Sequence, residues 1–217
     1  MKNIKRKSLY FAALAFLFAC SNTEPEIAYV NMRLVYFQND SKPVERYSFF
    51  VIANDDDGVE NLADLYLYHD LEGLEWRLSE KDWVIVEQDG HTWIGTRSIA
   101  MTGDESLPRG QYRAVLVNKG GEQAARAFTF DPPPQPRFVF PTCSVKDEKY
   151  AVVSKYPTNS FIGYNEQGNF VQTVKLSQLN GDVSDLKLQS AVKSIALWAE
   201  DSSYSTSALL DALPINQ

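Results

Sequence analysis

The chain has 217 residues, with 21 basic and 28 acidic side chains, two histidines, two cysteines and a net charge of −7. An acidic surface repels phosphate backbones, which excludes nucleic acid as an expected partner, and two cysteines are too few for a disulfide-stapled scaffold. Stability must therefore come from burial, which a chain of this length can supply in one large or two small domains.

At the amino terminus, Lys2, Lys5, Arg6 and Lys7 precede an apolar run from Leu9 to Ala19. Eleven helical residues rise only about 16 Å against a hydrocarbon core of roughly 30 Å. The segment 1–19 thus reads as a cleaved export signal and not as a spanning helix. It ends in Leu17-Phe18-Ala19-Cys20, which resembles the bacterial lipobox: Leu at −3, a small residue at −1 and the modified cysteine at +1. Phe18 stands at −2, where spirochaetal lipoproteins are the most relaxed.

The resemblance implies a lipoprotein of the cell envelope, with diacylglycerol on the Cys20 sulfur and acyl chains such as palmitate beside it. Ser21 stands where an aspartate would mark inner-membrane retention in proteobacteria, so the outer membrane is favoured. Loss of the signal leaves 17 basic against 28 acidic side chains, a net of −11, so the lipid and not electrostatics must hold the chain to its membrane. Residues 20–25 form the anchor and a short tether. With Cys20 acylated, Cys143 has no disulfide partner, and in the apolar stretch from Phe138 to Val145 it reads as a small core side chain.

From Ile27 onward apolar residues recur at spacing two, as in Val30, Met32, Leu34 and Tyr36, then Leu65 and Leu67, then Tyr112, Ala114 and Leu116. Turn signals separate these runs, among them Asp57-Gly58, Asp89-Gly90 and Gly120-Gly121. The pattern predicts an all-β chain. Asp131-Pro-Pro-Pro-Gln-Pro136 interrupts it with four prolines in six residues, which no central strand accommodates. We therefore expect a β-sandwich over 26–131, a proline-rich linker at 132–136 and a second small β domain over 137–217, two sandwiches in tandem. Within the second, Val183 to Leu188 reads as a strand and Ser207 to Leu213 as a short helix.

In the first domain, Leu107-Pro-Arg-Gly-Gln-Tyr112-Arg-Ala-Val-Leu-Val117 resembles the turn and penultimate strand of fibronectin type III and related immunoglobulin-like sandwiches. The resemblance implies that the Tyr112 hydroxyl bonds back to the preceding corner.

Candidate chemistry is sparse. Asp55, Asp57 and Asp64 could supply carboxylates to a calcium site at a sandwich edge; the same acids otherwise solvate a turn, and no other cofactor or metal is expected. His69 shares a face with Leu65 and Leu67 at a strand end and reads as a satisfied, partly buried imidazole, whereas His91 follows a turn and is expected exposed. No nucleophile, zinc or phosphate-loop motif is present, so the chain reads as a non-enzyme, with a carboxylate-only hydrolase as the residual catalytic option.

The aromatics are more informative. A two-residue turn at Asp89-Gly90 places Val86 opposite Trp93 and Ile85 opposite Ile94, so Trp83 and Trp93 point to opposite faces. One of them, with Tyr66 and Tyr68 as an extension, is then left for a partner or packs against the Phe138 to Val145 region. The leading expectation is a protein-binding or structural envelope component, and the competing one a glycan-binding module that stacks sugars on Trp83 or Trp93 with Tyr66 and Tyr68.

Overall fold

The computed structural model describes residues 23–39, 42–132 and 139–215. The export signal, Cys20 and most of the proline stretch lie outside the described residues. What is described is all-β, with three short 3₁₀ turns at Val59–Asn61, Thr102–Asp104 and Val183–Leu186. None of the described residues forms a helix long and apolar enough to cross a membrane.

The first half supplies β1 (Glu26–Asn39), β2 (Lys42–Asn54), β3 (Leu62–His69), β4 (Leu74–Ser79), β5 (Val84–Gln88), β6 (His91–Ile99), β7 (Gly110–Asn118) and β8 (Gln123–Phe130). One layer runs β1-β2-β6-β5 and the other β4-β3-β7-β8. The spacing-two pattern explains the core between them: Tyr47, Phe49 and Val51 of β2 share one buried cluster with Leu65 and Leu67 of β3 and Leu116 of β7. Asp89 and Gly90 both have positive φ, 53° and 75°, as a type I′ turn requires. That turn sets the pairs Val86 with Trp93 and Ile85 with Ile94.

One corner is closed by a shared acceptor. The Tyr112 hydroxyl donates to the Pro108 carbonyl at 2.5 Å, as the resemblance implied, and so does the Tyr47 hydroxyl at 2.5 Å. Arg109 Nη1 donates to the Tyr47 oxygen at 2.8 Å while Nη2 holds Glu45 at 3.2 Å. Burial above all raises both phenols over the usual tyrosine range. Beside this corner His69 is 1% exposed. Its Nδ1 accepts from the Glu72 amide at 3.3 Å, which leaves Nε2 to donate to the Arg109 carbonyl at 3.2 Å. It is the satisfied imidazole that its face predicted, though buried completely and not in part.

The second half supplies β9 (Thr142–Lys146), β10 (Lys149–Val153), β11 (Thr158–Tyr164), β12 (Phe170–Lys175), β13 (Asn180–Asp182), β14 (Ser194–Asp201), β15 (Thr206–Leu209) and β16 (Leu213–Pro214). Its core sets Phe161, Ile195 and Leu197 with Tyr150, Val152 and Val183. Two local expectations fail. Val183–Leu186 is a 3₁₀ turn, closed by Lys187 in the left-handed region at φ 50°. The helix expected from Ser207 is instead β15, whose four residues are all buried because the strand lies between β14 and β1.

That last pairing joins the halves. The strand order β12-β11-β14-β15-β1-β2-β6-β5, with β16 beside β14, makes a single nine-stranded sheet. β15 meets β1 in parallel, Val35 opposite Ser207 and Phe37 opposite Leu209. Two cores therefore lie one on each side of the proline stretch, while one sheet spans both.

The doubly used Pro108 carbonyl makes a quantitative prediction. Tyr47→Phe and Tyr112→Phe should each destabilise by about 1 kcal/mol. The double variant should lose more than the sum, because only then does the half-buried carbonyl lose its last partner. Urea unfolding of the four proteins measures this, and strict additivity would contradict the shared-acceptor geometry.

Candidate functional site

β1 and β2 alternate, so the sheet has a second face. On the first half's core side lie Met32, Leu34, Tyr47 and Phe49; on the other lie Asn31, Arg33, Ser48 and Phe50. That second face is rolled. Arg97 of β6 has its guanidinium carbon 5.7 Å from the Phe170 ring of β12 and 5.9 Å from the Trp198 ring of β14. β6 and β12 are six strand steps apart in the sheet, about 29 Å if it were flat. One arginine cannot span that distance, so the sheet must curl until its two ends confront each other across a trough.

One part of the trough is packed shut by Val35, Ile162, Ala196 and Leu209, with Phe37 and Tyr164 against them. The remainder is a cleft of about 780 Å³ whose walls include both edge strands, Ile85 to Gln88 of β5 and Phe170 to Thr173 of β12. Trp93 stands in its wall, edge-on to Tyr29 at 6.0 Å. Glu200 organises one side: it takes Arg33 Nη2 at 3.0 Å, Trp198 Nε1 at 3.1 Å and the Ser202 hydroxyl at 3.0 Å. Arg97 lies over Phe50 at 5.2 Å as well as over Phe170 and Trp198. Burial lowers its guanidinium from the usual range, with Tyr164 opposing.

The residues singled out from sequence separate in space. Trp93 lines the cleft. Trp83 packs, half-buried, on the first core. Tyr66 and Tyr68 stack on each other at 5.8 Å on the opposite face of β3 from Leu65 and Leu67. There Arg113 covers Tyr68 at 4.4 Å and pairs with Asp70 at 2.7 Å. Neither Trp83 nor Trp93 joins Tyr66 and Tyr68 in one platform. Across the cleft the Trp93 face meets β11, β12 and β14, because the shared sheet brings those strands round; of the expected Phe138 to Val145 partner, Phe138 lies outside the described residues and none of Val139 to Val145 lines the cleft.

The aspartates also separate. Asp55 Oδ1 accepts from the Asp57 amide at 2.9 Å and from Asn61 Nδ2 at 3.0 Å, while Asp64 is bound in a fork by Arg77 at 2.9 and 3.1 Å. Among the described residues no group of three or more His, Cys, Asp or Glu is placed to hold a metal ion.

Sequence reasoning missed Arg33, Arg97, Phe170 and Trp198. Arg97 was within reach, since it follows Trp93 at even spacing on β6 and so shares its face.

No protein-family model matches the chain, and neither does any curated protein. Among solved structures it is similar to Tp47, the 47-kilodalton lipoprotein of Treponema pallidum, at 13% identity and a TM-score of 0.35 over 90% of this chain and 52% of that one. It is also similar to dimeric latent PorU from Porphyromonas gingivalis, at 11% identity and a TM-score of 0.36 over 89% of this chain and 21% of that one. The chain thus spans about half the length of the first and about a fifth of the second. Overlays this loose establish no shared activity.

Cys143 is half-buried beside the second core, and burial pushes its thiol up to about 11. At pH 8 such a thiol is almost wholly protonated. Alkylation by iodoacetamide should be roughly 100-fold slower than for an exposed cysteine, rising with pH toward 11 and becoming ordinary in urea. Fast labelling of the folded protein at pH 8 would contradict the packing.

Proposed function

We propose that the chain is an exported lipoprotein, acylated at Cys20, that works outside the cytoplasm as a non-enzymatic binding protein whose ligand sits in the trough. The anchor rests on the charged leader, the apolar run too short to span and the lipobox-like Leu17 to Cys20. The binding role rests on one observation: a cleft of about 780 Å³ walled by side chains from both halves. That volume is in the range of roughly 300–1,000 Å³ used by small-molecule sites.

Further features support the reading. Asn118, at the turn between β7 and β8, donates to the Thr23 carbonyl at 3.0 Å. Three residues of extended chain reach at most about 11 Å, so a lipidated Cys20 would hold that end of the first sandwich against the bilayer. The strand orders β1-β2-β6-β5 and β4-β3-β7-β8 correspond to the A-B-E-D and extended C-F-G layers of an immunoglobulin-like domain, with Tyr112 near the start of the F-equivalent strand. Such modules serve chiefly in binding, although fold alone does not set function. The cleft carboxylates are engaged, Glu200 by Arg33 and Glu87 by the Thr92 hydroxyl at 2.8 Å, which suits binding better than acid–base chemistry.

A protein partner in the envelope is the second reading. It is favoured by β5 and β12, the two ends of the long sheet, since an open edge can accept a strand.

Mass spectrometry of the native protein should find acyl chains on Cys20, and Cys20→Ala should move the protein from the membrane to the soluble fraction. Hydrogen exchange with the glycan fraction of the cell envelope should show protection in β6, β12 and β14 and none at Tyr66 and Tyr68. Protection confined to β3, or to the outer edges of β5 and β12, would contradict the trough as the site.

A further inference from the structure

The whole chain is acidic, at −7, yet the cleft wall carries three cations, Arg33, Arg97 and Lys175, against two carboxylates, Glu87 and Glu200. Both carboxylates already have partners. Arg97 makes none of the ion pairs found among the described residues. Three aromatic rings hold it instead. Ring faces attract a cation without taking up its N–H donors, and no Arg97 nitrogen is among the buried atoms that lack a partner, so those donors stay open to the cleft. Arg33 adds positive charge to the same wall, although its Nη2 is bound to Glu200 and its Nη1 is closed off from the cleft.

A half-buried guanidinium held among rings without a carboxylate is an unneutralised cation in a protein that has acids to spare, and its planar fork matches an oxyanion. Around it the walls set rings beside neutral hydrogen-bonding groups, the side chains of Asn31, Ser48, Ser160 and Thr173. Aromatic faces beside hydroxyls and amides suit a ligand whose rings have apolar faces and hydroxyl edges.

Resting on the trough as the ligand site, we infer that it takes a short saccharide bearing an oxyanion, a carboxylate or a sulfate, received by the Arg97 guanidinium. Trp93 and Trp198 flank the sugar rings, so binding should perturb their fluorescence.

The test uses the full lipoprotein in detergent micelles, titrated with tri-galacturonic acid, its methyl ester, a carrageenan tetrasaccharide, which carries sulfate and no carboxylate, and maltotriose, and read by tryptophan fluorescence and calorimetry. Hydrogen exchange locates whatever binds. The acidic sugars should bind about tenfold or more tighter than the neutral ones, as expected for a charge-assisted fork. Whichever of the carboxylate and sulfate probes binds tighter assigns the oxyanion, and either supports the inference.

Arg97→Gln should abolish the preference for acid over ester while leaving the unfolding midpoint in place, and Arg97→Lys should retain part of it. Should the glutamine variant not fold, the wild-type preference for acid over ester still decides. Equal binding of acid and ester with protection in the trough overturns the oxyanion assignment but leaves the trough as the site. A charge preference that survives Arg97→Gln does the same. No binding of any probe, or protection at Tyr66 and Tyr68, overturns the inference outright.

Discussion

The structure depends on the parallel pairing of β1 with β15. From Leu34 to Phe37 the first strand is apolar at four consecutive positions, so it cannot leave either face to water. One face, through Leu34, is buried in the first sandwich, and the other, through Val35, in the cluster with Ile162 and Leu209. A strand buried on both faces is a central strand, and β1 becomes central only by taking β15 on its open side. The pairing also carries a cost: the Thr206 and Ser207 hydroxyls are buried without hydrogen bonds. Small side chains here keep the row beside Val35 and Leu209 closely packed.

From this contact the trough follows. Two sandwiches side by side would present two independent outer faces. Fused edge to edge through β1 and β15, with right-handed twist accumulating over eight strands in sequence, they present one face that curls on itself. Arg97 from the first half then reaches Phe170 and Trp198 from the second. The cleft belongs to neither half alone, and its aromatic and cationic character is assembled by topology from residues more than seventy positions apart.

Local features were legible from the residues themselves. The spacing-two runs gave the first core, the Asp89-Gly90 turn set the β5–β6 register, and the His69 face predicted its burial. What sequence could not supply was the long-range pairing. Thr206-Ser-Ala-Leu is short and weakly apolar, and only its neighbours on both sides make it a strand, which is why a helix was expected there. The same gap hid the site: the position of Trp93 on its strand was clear, but what stood opposite depended on the roll of a sheet that no local pattern encodes. The continuous apolar run from Leu34 to Phe37 was the one available sign that β1 would be paired on both sides.

The most direct test is a distance across the mouth of the trough. Spin labels at Glu87→Cys on β5 and Lys175→Cys on β12, in a Cys143→Ala background, sit on strands seven steps apart along the sheet. Double electron–electron resonance should give a single narrow distribution well below the about 34 Å of a flat sheet. A broad distribution centred beyond that value would mean that the halves do not share one rolled sheet, and the cleft would not exist as described.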